Sequence, residues 1–151
     1  VQYGTIYSNL DDLDTDITYT KEKDTHNFHV NTHLVDIDQQ TPIQGSMPVS
    51  MDYVYSKQGV TIKMDHCPYS AYMVLPVITS LLDVTEVDSK NMRIRKENGI
   101  LEISCVNGYL KVAPTDADGR IFNPVPGFSF IPLQVFPESP SKKIIVKIIY
   151  N

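Results

Sequence analysis

An antiparallel β-sandwich, of jelly-roll or immunoglobulin-like type, is the fold this sequence predicts. Three observations carry that reading. Apolar residues recur at period two, Asn-Gly and proline punctuate short runs, and the chain ends in the β-branched segment Ile144-Ile145-Val146-Lys147-Ile148-Ile149-Tyr150. Ten prolines and nine tyrosines, with no tryptophan, add to the tilt towards strands joined by stiff turns. A single domain over residues 1–151 suffices, because a chain of this length buries about two-thirds of its unfolded surface without disulfide or metal staples.

The elements follow in order. Residues 1–20 are acidic and read as an extended arm. Phe28, Val30 and Leu34 share one parity with Thr32 between them; Val49, Met51, Tyr53 and Tyr55 form a second such set, and Val60, Ile62 and Met64 a third. Gly59, after Lys57-Gln58, places a turn between the last two. Ala71–Pro76 is apolar on both parities, as a strand at the centre of a sheet is. Only Thr79–Glu86, with Leu81, Leu82 and Val84, suits a short helix. Met92–Arg95, Ile100–Cys105 and Tyr109–Val112 are separated by Asn98-Gly99 and Asn107-Gly108. They predict a three-stranded meander, since Asn-Gly supplies the positive φ that tight hairpins need. Pro114–Gly127 is a long loop with one short strand at Arg120–Phe122, and loops of that length are often functional. Phe128–Phe136 is a strand that Pro132 confines to an edge or a bulge.

Left exposed, Ile144–Tyr150 would template aggregation, so it must pair within its own sheet or with a neighbouring copy. Ile144, Val146, Ile148 and Tyr150 are therefore candidate interface residues.

The formal charge is −5, and residues 1–40 hold eight of the eighteen acids against Lys21 and Lys23 alone. Such a third repels a phosphate backbone, and Arg93-Ile94-Arg95-Lys96 is too short to outweigh it, which argues against nucleic acid as a partner. No apolar run approaches the length of a membrane helix, so membrane insertion is not expected. The chain begins at Val1 with no signal peptide, as a processed, excised or trimmed chain would. Cys67 and Cys105 are either two buried thiols or one disulfide, and the sequence leaves that choice open.

Candidate chemistry is sparse. His26, His29 and His33 lie close in sequence beside Asp24, Asp36 and Asp38. On a strand His29 and His33 share a face while His26 points the other way, and their spacing converges poorly on a metal, so polar outer-face histidines are the simpler reading. Asp12, Asp14 and Asp16 alternate like the first ligands of a calcium loop. Ile17 stands where the sharp turn needs glycine, and Lys23 where the closing glutamate belongs. Asp116-Ala117-Asp118-Gly119 is a shorter echo. No Gly-x-Ser-x-Gly occurs, and His66 and Cys67, adjacent on a strand, face opposite sides. The sequence thus predicts neither a catalytic residue nor a cofactor. Tyr3, Tyr7 and Tyr19 are the tyrosines expected to be partly exposed, and could stack on sugar.

Two resemblances add context. Asp65-His66-Cys67-Pro68-Tyr69-Ser70-Ala71-Tyr72-Met73-Val74-Leu75-Pro76 resembles the His-Gly…Pro…Tyr-x-Tyr…Leu-Pro stretch in the β-sandwich region of polysaccharide lyases that cut hyaluronan and chondroitin. Here Cys67 replaces the glycine and the spacer before the tyrosines is shorter. The catalytic residues of that family lie elsewhere in a larger chain, so the resemblance implies no site residue. Leu110-Lys111-Val112, Asp118-Gly119-Arg120-Ile121, Phe130-Ile131-Pro132-Leu133 and Ile145-Val146-Lys147-Ile148 are together similar to C-terminal sandwich domains appended to secreted Bacteroidetes proteins, with Ser141-Lys142-Lys143 in place of the usual Gly-x-Tyr. Both imply an extracellular setting and neither implies an activity.

The sequence therefore predicts a non-enzymatic sandwich that works by protein contact: a structural or self-assembling subunit of a surface appendage or virus-like shell. That reading expects a homo-oligomer or larger assembly that is extracellular, at the cell surface or in a virion. The alternative is a carbohydrate-binding or accessory C-terminal module of a secreted enzyme, with a glycan as its ligand.

Overall fold

The computed structural model describes residues 1–4, 7–36, 38, 40–43, 48–65, 71–77, 83–112, 131–139 and 142–151. Two antiparallel sheets make up the molecule, and no α-helix occurs among the described residues. With strands numbered in chain order, the larger sheet runs β3 (Asp16–Glu22), β4 (Thr25–Thr32), β6 (Val49–Ser56), β7 (Gly59–Asp65), β14 (Ile144–Tyr150), β11 (Gly99–Val106), β10 (Asn91–Lys96) and β9 (Val84–Val87). The smaller runs β12 (Gly108–Val112), β13 (Ile131–Pro137), β8 (Ala71–Val77), β1 (Gln2–Tyr3), β2 (Tyr7–Ser8) and β5 (Val35–Asp36). A β-sandwich is thus the architecture, as the alternation predicts.

Period-two patterning builds the core. Met51, Ile62, Met64, Met92, Ile94, Ile103, Ile144 and Val146 point inward from the larger sheet, and Ala71, Met73, Leu110, Leu133 and Val135 from the smaller. Full burial of each aliphatic side chain contributes about 1.5–3 kcal/mol. Cys105 is a buried free thiol in this core, and burial pushes it up to about 11, which leaves it un-ionised at neutral pH. Cys67 lies outside the described residues.

The terminal strand sits in the middle of the larger sheet. Ile144 to Ile149 pair with Met64 to Gly59 on β7, and Ile145 to Tyr150 pair with Val106 to Leu101 on β11. Both edges of β14 are therefore consumed within the chain, and the expected pairing with a neighbouring copy has no free backbone here to use.

Several expectations are corrected. The extended acidic segment expected over residues 1–20 pairs within the chain where it is described: β1 with β8, and β3 in a hairpin with β4. Of the short helix expected at Thr79–Glu86, Asp83 takes a 3-10 conformation and the chain is strand from Val84, paired with β10; residues 78–82 lie outside the described set. The meander holds for β10 and β11 only. At Asn107 (φ 59°) the chain leaves the larger sheet, and β12 pairs with β13 in the smaller one. Lys90 ties that corner, its Nζ donating to the Gly108 carbonyl at 2.5 Å, its own carbonyl accepting from Cys105 N–H at 2.8 Å, and its ammonium meeting Glu138. Asn98-Gly99 also acts differently from expected. Gly99 has no positive φ, but a Cβ on it would stand 2.2 Å from the Asn151 carbonyl oxygen. Pro132 occupies an internal strand. It lies opposite Pro76 of β8 and one residue beyond Leu133↔Val112, the last described β12 pair. The loop expected at Pro114–Gly127, with its strand at Arg120–Phe122, lies outside the described residues.

Asp12 clasps the loop before β3 to the end of β4. Its Oδ2 accepts from Thr32 Oγ1 at 2.9 Å and from the His33 amide at 2.6 Å, and its Oδ1 accepts from the Asp14 amide at 3.1 Å. Burial by itself raises the pKa of this carboxyl, whose side chain is 4% exposed, but those donors and the neighbouring His33 outweigh it and hold the pKa below the ordinary 3.8. The ionised form is thus favoured by folding. Its stabilisation is complete above the unfolded value and is lost as pH falls through the lowered folded one.

Two outcomes are expected. Gly59 combines φ 137° with a Cβ position 2.0 Å from the Ile148 carbonyl oxygen, so Gly59→Ala should cost about 1–3 kcal/mol or more in urea unfolding. Gln58→Ala, one exposed residue away, should stay within about 0.5 kcal/mol of wild type. Asp12→Asn should cost about 1–3 kcal/mol at neutral pH, and its deficit against wild type should shrink only below pH 3.8, the ordinary aspartate value. A deficit unchanged down to pH 2 would remove the carboxylate from that account.

Candidate functional site

One row of paired residues crosses most of the inner face of the larger sheet: Tyr19, Phe28, Tyr53, Ile62, Val146 and Cys105. Exposure along it is 5% or less at Ile62, Val146 and Cys105, then rises to 36% at Phe28 and 51% at Tyr19. The inner face is buried across β7, β14 and β11 and open on β3 and at Phe28 of β4, while at the far end of β4 Val30 packs on the core and Thr32 is buried. The next row, Lys21, His26 and Tyr55, shares that opening.

The uncovered rings touch. Tyr19 and Phe28 have centroids 4.9 Å apart, and Phe28 meets Tyr55 edge-on at 5.8 Å and 89°. Tyr19 stacks on His26 at 6.0 Å, and their Oη and Nδ1 lie 2.9 Å apart. The two hairpin tips hold the end of this platform. Lys23 takes φ 52° in the turn between β3 and β4, and Asp24 of the same turn pairs with Lys57 of the β6–β7 turn at 2.8 Å. Between the tips lies a recess of about 320 Å³ lined by Lys21, Lys23, Lys57, His26, Tyr55 and Asp24, among others. Lysines outnumber carboxylates there, unlike in the chain as a whole. Flat exposed rings present an apolar surface to the C–H face of a pyranose, while ammonium and imidazole groups at their margin reach its oxygens. This arrangement can bind a sugar chain.

The histidines expected on the outer face occupy separate places. His29 Nδ1 lies 2.6 Å from Asp52 Oδ1, while Asn31 Nδ2 is 3.1 Å from His29 Nε2. The carboxylate makes Nδ1 the protonated nitrogen, and Nε2 then accepts from the Asn31 amide. With Thr18 and Lys63 this pair lines a second recess of about 280 Å³. His33, past the end of β4, turns to Asp12 at 3.5 Å instead. His29 and His33 thus serve different carboxylates, and His26 points to the inner face as strand alternation requires.

Of the alternating acids, Asp12 is spent on the β4 clasp while Asp14 and Asp16 are exposed. Among the described residues no group of three or more His, Cys, Asp or Glu could hold a metal. His66, Cys67 and Asp116–Gly119 lie outside them. Ile144 and Val146, candidates for an interface, are wholly buried in the core; Ile148 is half-buried, and Tyr150 is exposed at the end of β14.

Tyr19 is a tyrosine the sequence marks as exposed, whereas Phe28 and Tyr55 read there as core. Their neighbours in the paired rows, Lys21 and His26, are the signal that could have found them: charged and polar residues on a parity that is otherwise apolar.

No curated protein matches the chain. The family model for the Ulvan lyase C-terminal domain matches it over residues 1–151, and the chain therefore belongs to the Ulvan lyase C-terminal domain family.

Proposed function

We propose that this domain is a non-catalytic accessory module of a secreted carbohydrate-active lyase, and that it holds polysaccharide on the Tyr19–Phe28–Tyr55 platform. The observation that carries the reading is a contiguous set of exposed rings on a sheet face its partner sheet leaves uncovered. Isolated exposed aromatics are ordinary, but a contiguous exposed patch with polar groups at its rim marks a binding surface. Lys21, Lys23 and Lys57 at the rim favour a chain bearing acidic groups. Membership of a lyase-domain family supports the same reading and an extracellular setting. Assembly into an appendage or shell has less support: among the features that suggest it, the terminal strand has both edges spent inside the chain.

Titration calorimetry or affinity electrophoresis with ulvan tests the proposal. Tyr19→Ala and Tyr55→Ala should each weaken binding roughly 2–10-fold, the loss of about 0.5–1.5 kcal/mol of ring contact. Binding should also fall with added salt, because the lysines are exposed. Undiminished affinity in both variants, with circular dichroism unchanged, would move the site elsewhere; an absence of binding by the wild-type chain would end the reading.

A further inference from the structure

The strand that carries Tyr19 is also the outermost strand of the larger sheet. Seven residues long, β3 is exposed at every position, pairs with β4 on one side and meets no described strand on the other. The remaining edges are shorter: β9 has four residues, β12 five and β5 two. A long open edge presents unpaired N–H and C=O groups in a row, and natural sheets usually blunt such edges with proline, a bulge or inward charge. β3 has no proline, and its inward residues are Ile17 and Tyr19, 60% and 51% exposed, with Lys21 near its end.

We propose that β3 pairs with β3 of a second copy of this chain, antiparallel about a two-fold axis at Thr18. Inner faces merge only when opposed residues have the same parity, which leaves a small set of registers. Centring on Tyr19 sets Asp16 opposite Glu22 twice, a like-charge clash. Centring on Thr20 leaves Ile17 uncovered within the strand. Centring on Thr18 sets Ile17 opposite Tyr19 on both sides and Asp16 opposite Thr20, covering the apolar residues; its one acid pair, Asp14 with Glu22, falls at the turn before the strand, where the backbone is not held in the ladder. The occupant is a second copy because the strand complements itself in that register. The two larger sheets become continuous, and the ring row Phe28–Tyr19 of one copy runs into Ile17 and Val30 of the other. A single strand edge falls short of the roughly 1,000 Å² of a stable interface, so the dimer is weak and concentration-dependent. It stands independently of sugar binding; where both hold, one polysaccharide chain engages two platforms and gains avidity.

Cysteine cross-linking of the 151-residue chain reads the register. At a two-fold, Thr18→Cys places its Cα about 4.5–5.5 Å from its mate, within the disulfide range of about 4.4–6.8 Å. Thr20→Cys stands about 14 Å from its mate in this register and cannot bridge. A disulfide-linked dimer of Thr18→Cys but not Thr20→Cys is expected, with the reduced variants as stable as wild type. Sedimentation should show wild type dimerising as concentration rises, and Thr18→Lys, which opposes two ammonium groups across the axis, should need at least tenfold more protein. Cross-linking at Thr20 alone, or equally at both, overturns the register. A wild-type chain that stays monomeric up to about 1 mM, far above any dissociation constant that could matter in dilute solution, overturns the dimer.

Discussion

The ladder on both sides of β14 is the constraint on which the rest depends. Residues 16–65 build one run of the larger sheet, β3–β4–β6–β7, and residues 84–106 build another, β9–β10–β11; only the last strand joins them. Until Ile144–Tyr150 lie between Met64–Gly59 and Val106–Leu101, the inward methionines and isoleucines of the two runs have no common core. Close backbone approach on each flank follows, which is why Gly59 faces the Ile148 carbonyl and Gly99 the Asn151 carbonyl with no room for a Cβ. Such non-local pairing is slow to form, because loop-closure entropy is lost before contacts repay it.

A second consequence is a mismatch in width. Eight strands on one side face six on the other, two-residue strands among the six. The larger sheet overhangs its cover at β3 and β4, and the same alternation that buries Met51, Ile62 and Met64 presents Ile17, Tyr19 and Phe28 to water. The platform is thus an uncovered stretch of core face, on strands rather than loops, and so is held in a fixed geometry before any ligand arrives. Preorganisation of that kind lowers the entropy lost on binding.

How much of this was legible follows from what period two can encode. Alternation reports that a residue faces the core side, so Val49, Met51, Ile62 and Met64 were readable, as was the turn at Lys57-Gln58. It does not report whether the facing sheet reaches that far, which is why Phe28 and Tyr55 read as core. Turn residues specify a backbone angle but not the destination: Asn107 takes the positive φ expected of it and uses it to change sheets. β3 was missed because both of its faces are solvated, so Thr18, Thr20 and Glu22 alternate with only Ile17 and Tyr19, too little contrast for a strand signature. Asp12 could be read only as a loop acid, since its donors Thr32 and His33 become neighbours through the β3–β4 hairpin.

Charge summed along the chain and charge met at the recess differ for a related reason. The first forty residues carry eight acids and two lysines, which by itself argues against an acidic partner. Strand alternation separates these groups in space. Asp16 and Glu22 fall on the outer parity of β3, Asp12 is consumed by hydrogen bonds, and Lys21 lands on the inner parity beside His26 and Tyr55. Lys57, distant in sequence, arrives at the same tip by the pairing of β6 with β4. The field a ligand meets is set by groups within about a Debye length, roughly 8 Å at physiological salt, rather than by a sum along the chain. An acidic segment can therefore carry a basic recess, and the sign of a ligand is read from one face of the sheet at a time.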